Sequence, residues 1–74
     1  MFAQFEKFSS GWIGISLAIN NEQISELILR LNELKSGRLK HFHFRTSDFS
    51  AEQGIADIEI SVLPDEASSN MTIE

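Results

Sequence analysis

The side chains that could do chemistry gather in two short stretches. His41-Phe42-His43 places two imidazoles two residues apart, and Asp57 and Glu59 place two carboxylates at the same spacing. Residues i and i+2 of a β-strand share a face, so each pair points one way if its stretch is a strand. Two histidines and a carboxylate are a recurrent ligand set for a metal such as zinc. His41 and His43 are therefore candidate metal ligands. The same residues also fit a plainer role. Arg45 extends the histidine face into a basic row opposite an acidic one, and cross-strand pairs of this kind contribute roughly 0.2–1 kcal/mol each. A guanidinium on that face also disfavours a cation. Pairing is the preferred reading, and a metal-binding module is the alternative.

Other chemistry has less to stand on. The chain has no cysteine and no tyrosine, and no glycine-rich phosphate loop. None of its serines lies in a motif that marks a nucleophile. The expectation is a protein that is not an enzyme and uses no cofactor. Lys35, Arg38, Lys40, His41, His43 and Arg45 form a basic run with Phe42 and Phe44 interleaved, a composition that some RNA-binding sheets use. The phenylalanines are needed to meet the core, however, and the following acids offset the bases. With a net charge of −5, nucleic acid is not an expected partner, because phosphate contacts need clustered positive charge.

The distribution of charge says more than its total. Residues 1–45 hold six bases and four acids, a balance of +2, whereas residues 46–74 hold seven acids and no base, a balance of −7. An acidic half of this kind suits a basic protein partner, and Asp57, Glu59, Asp65 and Glu66 are its candidate contacts. Trp12 and Arg45 are further partner-binding candidates, since tryptophan and arginine are enriched where binding energy concentrates. Trp12 reads either as an anchor for self-association or as an edge tryptophan partly covered by residues 2–8.

These residues need elements to hold them. Ile24, Leu27, Ile28, Leu31 and Leu34 draw an apolar stripe at helical spacing, which predicts a helix over residues 21–36. Asn20 with Gln23 reads as a capping box, Gly37 as the left-handed stop, and Glu26 with Arg30 as a supporting ion pair. Before the helix, Ile13, Ile15, Leu17 and Ile19 alternate with small residues, the period of a strand over residues 12–19. The other face of that strand carries Trp12, Gly14, Ser16 and Ala18, bare enough to let another backbone or a ligand approach. Residues 2–8 form a further strand, joined to it through Ser9-Ser10-Gly11. After the helix come strands over residues 38–46 and 55–63, with Phe42, Phe44, Ile58, Ile60 and Val62 on the faces opposite the charged ones.

The fold class is therefore α+β: a two-layer β-β-α-β-β sandwich with one helix packed on one face of a small, mostly antiparallel sheet. The helix stripe meets the isoleucine and phenylalanine faces. The open face then carries Trp12, Ala18, His41, His43, Arg45, Asp57 and Glu59. A strand order of 1-2-4-3 keeps every neighbour antiparallel, and 1-2-3-4 is the competing order. Residues 1–64 make one domain, and residues 65–74 are expected to be a disordered acidic tail.

Size limits what such a domain can do alone. A chain of 74 residues has a single core that is expected to supply no more than about 3–5 kcal/mol of net stability. Without cysteine, neither disulfides nor thiolate metal sites can staple it. Unusually good packing or association remains. Association is the preferred reading, so a homo-oligomer is expected, formed through the open sheet face or an edge strand. The start of the chain lacks the pattern of a signal peptide, and no apolar run approaches the roughly 20 residues that span a bilayer. A cytoplasmic protein with no membrane contact is the expectation.

The helix ending Leu31-Asn32-Glu33-Leu34-Lys35-Ser36-Gly37, the strand His41-Phe42-His43-Phe44 and the closing run Ile58-Glu59-Ile60-Ser61-Val62-Leu63-Pro64 also carry a family likeness. Over residues 24–64 the chain resembles the immunity protein 32 family, small bacterial proteins that are predicted to neutralise polymorphic toxins. The resemblance implies a non-catalytic protein-binding domain, an immunity-type inhibitor whose partner is a basic toxin. An acidic inhibitor would be steered to such a partner by long-range attraction.

Overall fold

A computed structural model describes residues 1–74. Five elements follow one another: β1 (Phe2–Lys7), β2 (Ile13–Ala18), α1 (Asn21–Ser36), β3 (His41–Arg45) and β4 (Asp57–Ser61). The β-β-α-β-β order is as the sequence leads one to expect, with strand ends trimmed by one to a few residues.

Local chemistry accounts for each element. In α1 the Asn20 side chain accepts a hydrogen bond from the Gln23 backbone N–H at 2.8 Å, while the Gln23 side chain accepts from the Asn20 N–H at 3.4 Å. Both halves of the capping box are thus present. At the other end Gly37 adopts φ 83°, the left-handed region where a Cβ is costly. Its N–H and that of Arg38 donate to the carbonyls of Leu34 and Glu33, at 3.2 and 2.9 Å. Arg30 does not use Glu26. It donates instead to Glu33 at 2.6 Å, one helical turn onward, where the carboxylate is the less exposed member of the pair and water screens it less.

The β1–β2 hairpin is antiparallel, with Phe5 opposite Ile15 and Ala3 opposite Leu17. Its turn is closed by Phe8 N–H to Trp12 O at 2.9 Å and Gly11 N–H to Phe8 O at 3.0 Å, with Gly11 at φ 91°. A three-residue loop ending in a left-handed residue is a common hairpin connection. Gly14 has its own reason to be glycine: a Cβ there would stand 3.1 Å from Cζ of Phe8. One of the small residues of β2 is therefore occupied from within the chain, by an aromatic ring. The β3–β4 hairpin is also antiparallel, pairing Phe42 with Ile60, His43 with Glu59, Phe44 with Ile58 and Arg45 with Asp57. The two phenylalanine rings meet edge-on at 5.7 Å.

The assembly of these pieces differs from a single sheet under one helix. The strands form two separate two-stranded sheets, β1-β2 and β3-β4, so neither four-strand order is realised. Ala18, in β2, and Trp12, just ahead of that strand, consequently lie on a different hairpin from the histidines. Only the strands within each hairpin make extensive contact. The phenylalanine face of β3–β4 is half-buried, but Ile13, Ile15 and Leu17 keep 58%, 60% and 40% of their surface exposed. Along α1 Leu27 is half-buried and Leu34 is the one buried residue of the chain, whereas Ile24, Ile28 and Leu31 are exposed. The physical reason is that each hairpin closes its backbone hydrogen bonds locally, through its own loop. Joining them would require edges to meet across the helix, and periodicity identifies an apolar face without naming what covers it.

The dimensions reflect this. The radius of gyration is 14.4 Å, against about 11 Å for a compact domain of this length. Between β1 and the β3–β4 loop runs an open groove of about 760 Å³, lined in part by Phe2, Phe5, Phe44, Phe49 and Ile55. Beyond β4 no helix or strand forms. Residues 62–74 contain a turn closed by Ala67 N–H to Pro64 O at 3.0 Å, and a Ser69 hydroxyl that donates to Met71 O at 2.9 Å. No helix is long and apolar enough to cross a membrane.

Candidate functional site

The outer face of β3–β4 carries the chemistry. Alternation along two short strands puts His41, His43 and Arg45 on the same side as Asp57, Glu59 and Ser61, while the phenylalanines and isoleucines take the other side. Aromatic and basic side chains of β3 therefore sit on opposite faces.

Asp57 is the hub. Its carboxylate lies 2.9 and 3.2 Å from His43 Nδ1 and accepts from Arg45 Nε at 3.0 Å. Arg45 is directly across the ladder from Asp57, whereas His43 reaches it diagonally, a distance within range of long side chains. Partial removal from water pushes the Asp57 carboxyl up. Hydrogen bonds from Arg45 and His43, together with their charge, outweigh that effect and hold it below its ordinary value of 3.8. Asp57 is thus ionised near neutrality and can only accept. A neutral His43 must then carry its proton on Nδ1 and present the Nε2 lone pair outward.

That lone pair meets Glu59, whose Oε1 lies 3.7 Å from His43 Nε2. His41 completes the group. Its ring stands edge-on to that of His43 with centroids 5.2 Å apart. One ligand atom each from His41, His43 and Glu59 lies within 4.8 Å of the others. His43 is half-buried, and the other two are exposed.

The remaining candidates lie elsewhere. Trp12 stands at the turn end of the other hairpin, 78% exposed. Asp65 and Glu66 are exposed in the turn that follows Pro64 and make no ion pair. Asp48, in the β3–β4 loop, accepts from Ser50 N–H at 3.0 Å. Hydrogen bonding by Ser50, first through its side chain and then through its backbone, keeps the Asp48 carboxyl below its ordinary value against a weaker desolvation.

Two features escape a reading of the sequence. One is the groove beside β1, whose only local signal was Phe49, a large aromatic in an otherwise polar connection. The other is Leu29, which falls outside the helix stripe and is exposed. No family model matches the chain, and neither a curated protein nor a solved structure matches it.

Proposed function

We propose that this chain is a small, non-catalytic protein-binding domain that completes its core against a second copy of itself. The observation that carries the reading is how little the single chain covers. Its accessible surface is 6931 Å², whereas a compact protein of this mass exposes about 4,600 Å². The excess is about 2,300 Å² per chain. Part of that excess belongs to residues 62–74, which form no helix or strand and are exposed. Two copies would therefore bury at most about 4,600 Å² in all, an upper bound within the range of obligate homodimers. The apolar material is in place, with Phe5, Ile13, Ile15 and Leu17 on one face of β1–β2 and Ile24, Ile28 and Leu31 along α1. Trp12 is the natural anchor at the rim. Every strand also has an open edge, and unpaired edges are templates for another chain. The polarised charge favours an antiparallel arrangement, in which the basic part of each copy meets the acidic part of the other. The test is molar mass in solution by sedimentation equilibrium. A species of twice 8.4 kDa is expected; a folded protein of 8.4 kDa at micromolar concentration overturns the reading.

Charge favours a second partner. Residues 46–74 hold seven acids and no base, so a basic protein is the complementary class, as a toxin would be for an immunity-type inhibitor. Arg45 and His43 already partner Asp57, and His43 also faces Glu59, so Asp65 and Glu66 are the freer contacts. Capture of a basic protein at low salt and its loss at high salt is the expected signature. Capture that is indifferent to salt counts against the acidic half.

A further inference from the structure

We propose that the outer face of β3–β4 is a binding site for a borderline divalent metal ion, with zinc the first choice. His41 and His43 supply imidazole nitrogens, and Glu59 supplies a carboxylate oxygen. The inference is independent of self-association, because all three ligands lie on one hairpin of one chain.

Geometry comes first. Zinc binds nitrogen and oxygen at about 2.0–2.2 Å, so tetrahedral ligand atoms stand about 3.3–3.5 Å apart. His43 Nε2 and Glu59 Oε1 are already 3.7 Å apart. The whole set lies within 4.8 Å, and a small rotation of the exposed His41 and Glu59 side chains closes the remainder. The strands need no rearrangement, because the register already puts His43 opposite Glu59 and His41 one step along the same face.

The surroundings of the set also match what a ligand histidine requires. Metal-bound histidines almost always donate their second ring N–H to a carboxylate or carbonyl, which fixes the tautomer and makes the ligating nitrogen more basic. Here Asp57 accepts from His43 Nδ1 at 2.9 Å, on the side away from Glu59. Arg45 bears on the site only through Asp57, at 3.0 Å. Its charge is balanced there, and it anchors the carboxylate that orients His43. The result is an acceptor nitrogen facing an acceptor oxygen, an arrangement that a cation between them satisfies. Two imidazoles and one carboxylate suit zinc, nickel or copper rather than magnesium, which prefers an all-oxygen octahedron. The exposed side of the face leaves a fourth position for water.

Isothermal titration of zinc into metal-free, full-length protein tests this, with magnesium as control. Zinc should bind one ion per chain and magnesium none. His43→Ala should abolish the heat. Asp57→Asn, which touches no metal, should weaken zinc by about 10–100-fold. Glu59→Gln keeps the shape of the face and should also weaken binding, so the proposal does not hang on one variant. Cobalt substitution gives an independent readout: intense visible bands report a tetrahedral site, and their loss in His41→Ala assigns that ligand. Absence of zinc uptake by the folded wild-type protein overturns the proposal, as does equal affinity in His41→Ala, His43→Ala and Glu59→Gln.

Discussion

Asp57 shows how one residue couples local electrostatics to stability. Its carboxyl is held below the ordinary value of 3.8 by the balance of solvent exclusion against Arg45 and His43. A carboxyl whose pKa is lower in the folded than in the unfolded chain binds fewer protons when folded, so stability rises with pH across that interval. Its contribution is fully present above 3.8 and is lost as pH falls through the lower folded value. Urea midpoints measured from about pH 5 to pH 2 should therefore fall with acidity, and Asp57→Asn should flatten the dependence. Asp48 shifts in the same direction through Ser50, so Asp48→Asn combined with Asp57→Asn should flatten it further. An acid limb that keeps its slope in the double variant would place the titrating groups elsewhere. Much of this site was legible in the sequence, because alternation alone puts His43, Arg45, Asp57 and Glu59 on one face. The diagonal choice of Asp57 over the directly opposite Glu59 as the closer partner of His43 was not. It depends on side-chain rotamers, which residue spacing does not encode.

At the scale of elements the local signals were sufficient, because each is a short-range physical requirement. Asn20, Gln23 and Gly37 bracket α1 where the sequence places its ends. Asn20→Ala removes the acceptor for the Gln23 N–H and should destabilise the protein by about 1 kcal/mol. Gly37→Ala forces a Cβ into the left-handed region at φ 83° and should cost about 1–2 kcal/mol. Denaturant midpoints check both; a neutral Gly37→Ala would mean that the helix end can relax into another cap. The hairpins were readable in part. Alternation sets which side chains share a face in β2, β3 and β4, whereas Phe2, Phe5 and Phe8 recur every third residue and mark β1 less clearly. The long connection from β3 to β4 carries no short turn to set the register. The ion pair was misread because Arg30 has acidic neighbours both four residues before and three after, and spacing permits both. What lies over each apolar face could not be read at all. Alternation marks Ile13, Ile15 and Leu17 as a face to be covered, and neither α1 nor the second hairpin covers it.

For the whole molecule, that uncovered face makes a sharp test possible, because two descriptions of the chain predict opposite effects for one substitution. Ile15 is 60% exposed in the single chain. If the protein works as a monomer, Ile15→Glu alters a surface residue and should change stability by no more than about 0.5 kcal/mol. If Ile15 lies between two copies, the same change buries an unpaired carboxylate at the interface, where the charge loses its hydration without gaining a partner. Association stabilises a folded state by mass action, so the wild-type melting temperature should then rise with protein concentration. Ile15→Glu should melt at a lower temperature that no longer depends on concentration, and its molar mass should fall to that of one chain. A folded core this small draws little stability from within itself, with Leu34 the one buried residue and itself 7% exposed, so the monomeric variant should also lose cooperativity. A wild-type melting temperature that is constant over a hundredfold range of concentration, with Ile15→Glu indistinguishable from it, would show that the apolar face of β1–β2 is tolerated in water. The protein would then have to be understood as an open monomer whose binding surface is available to other partners.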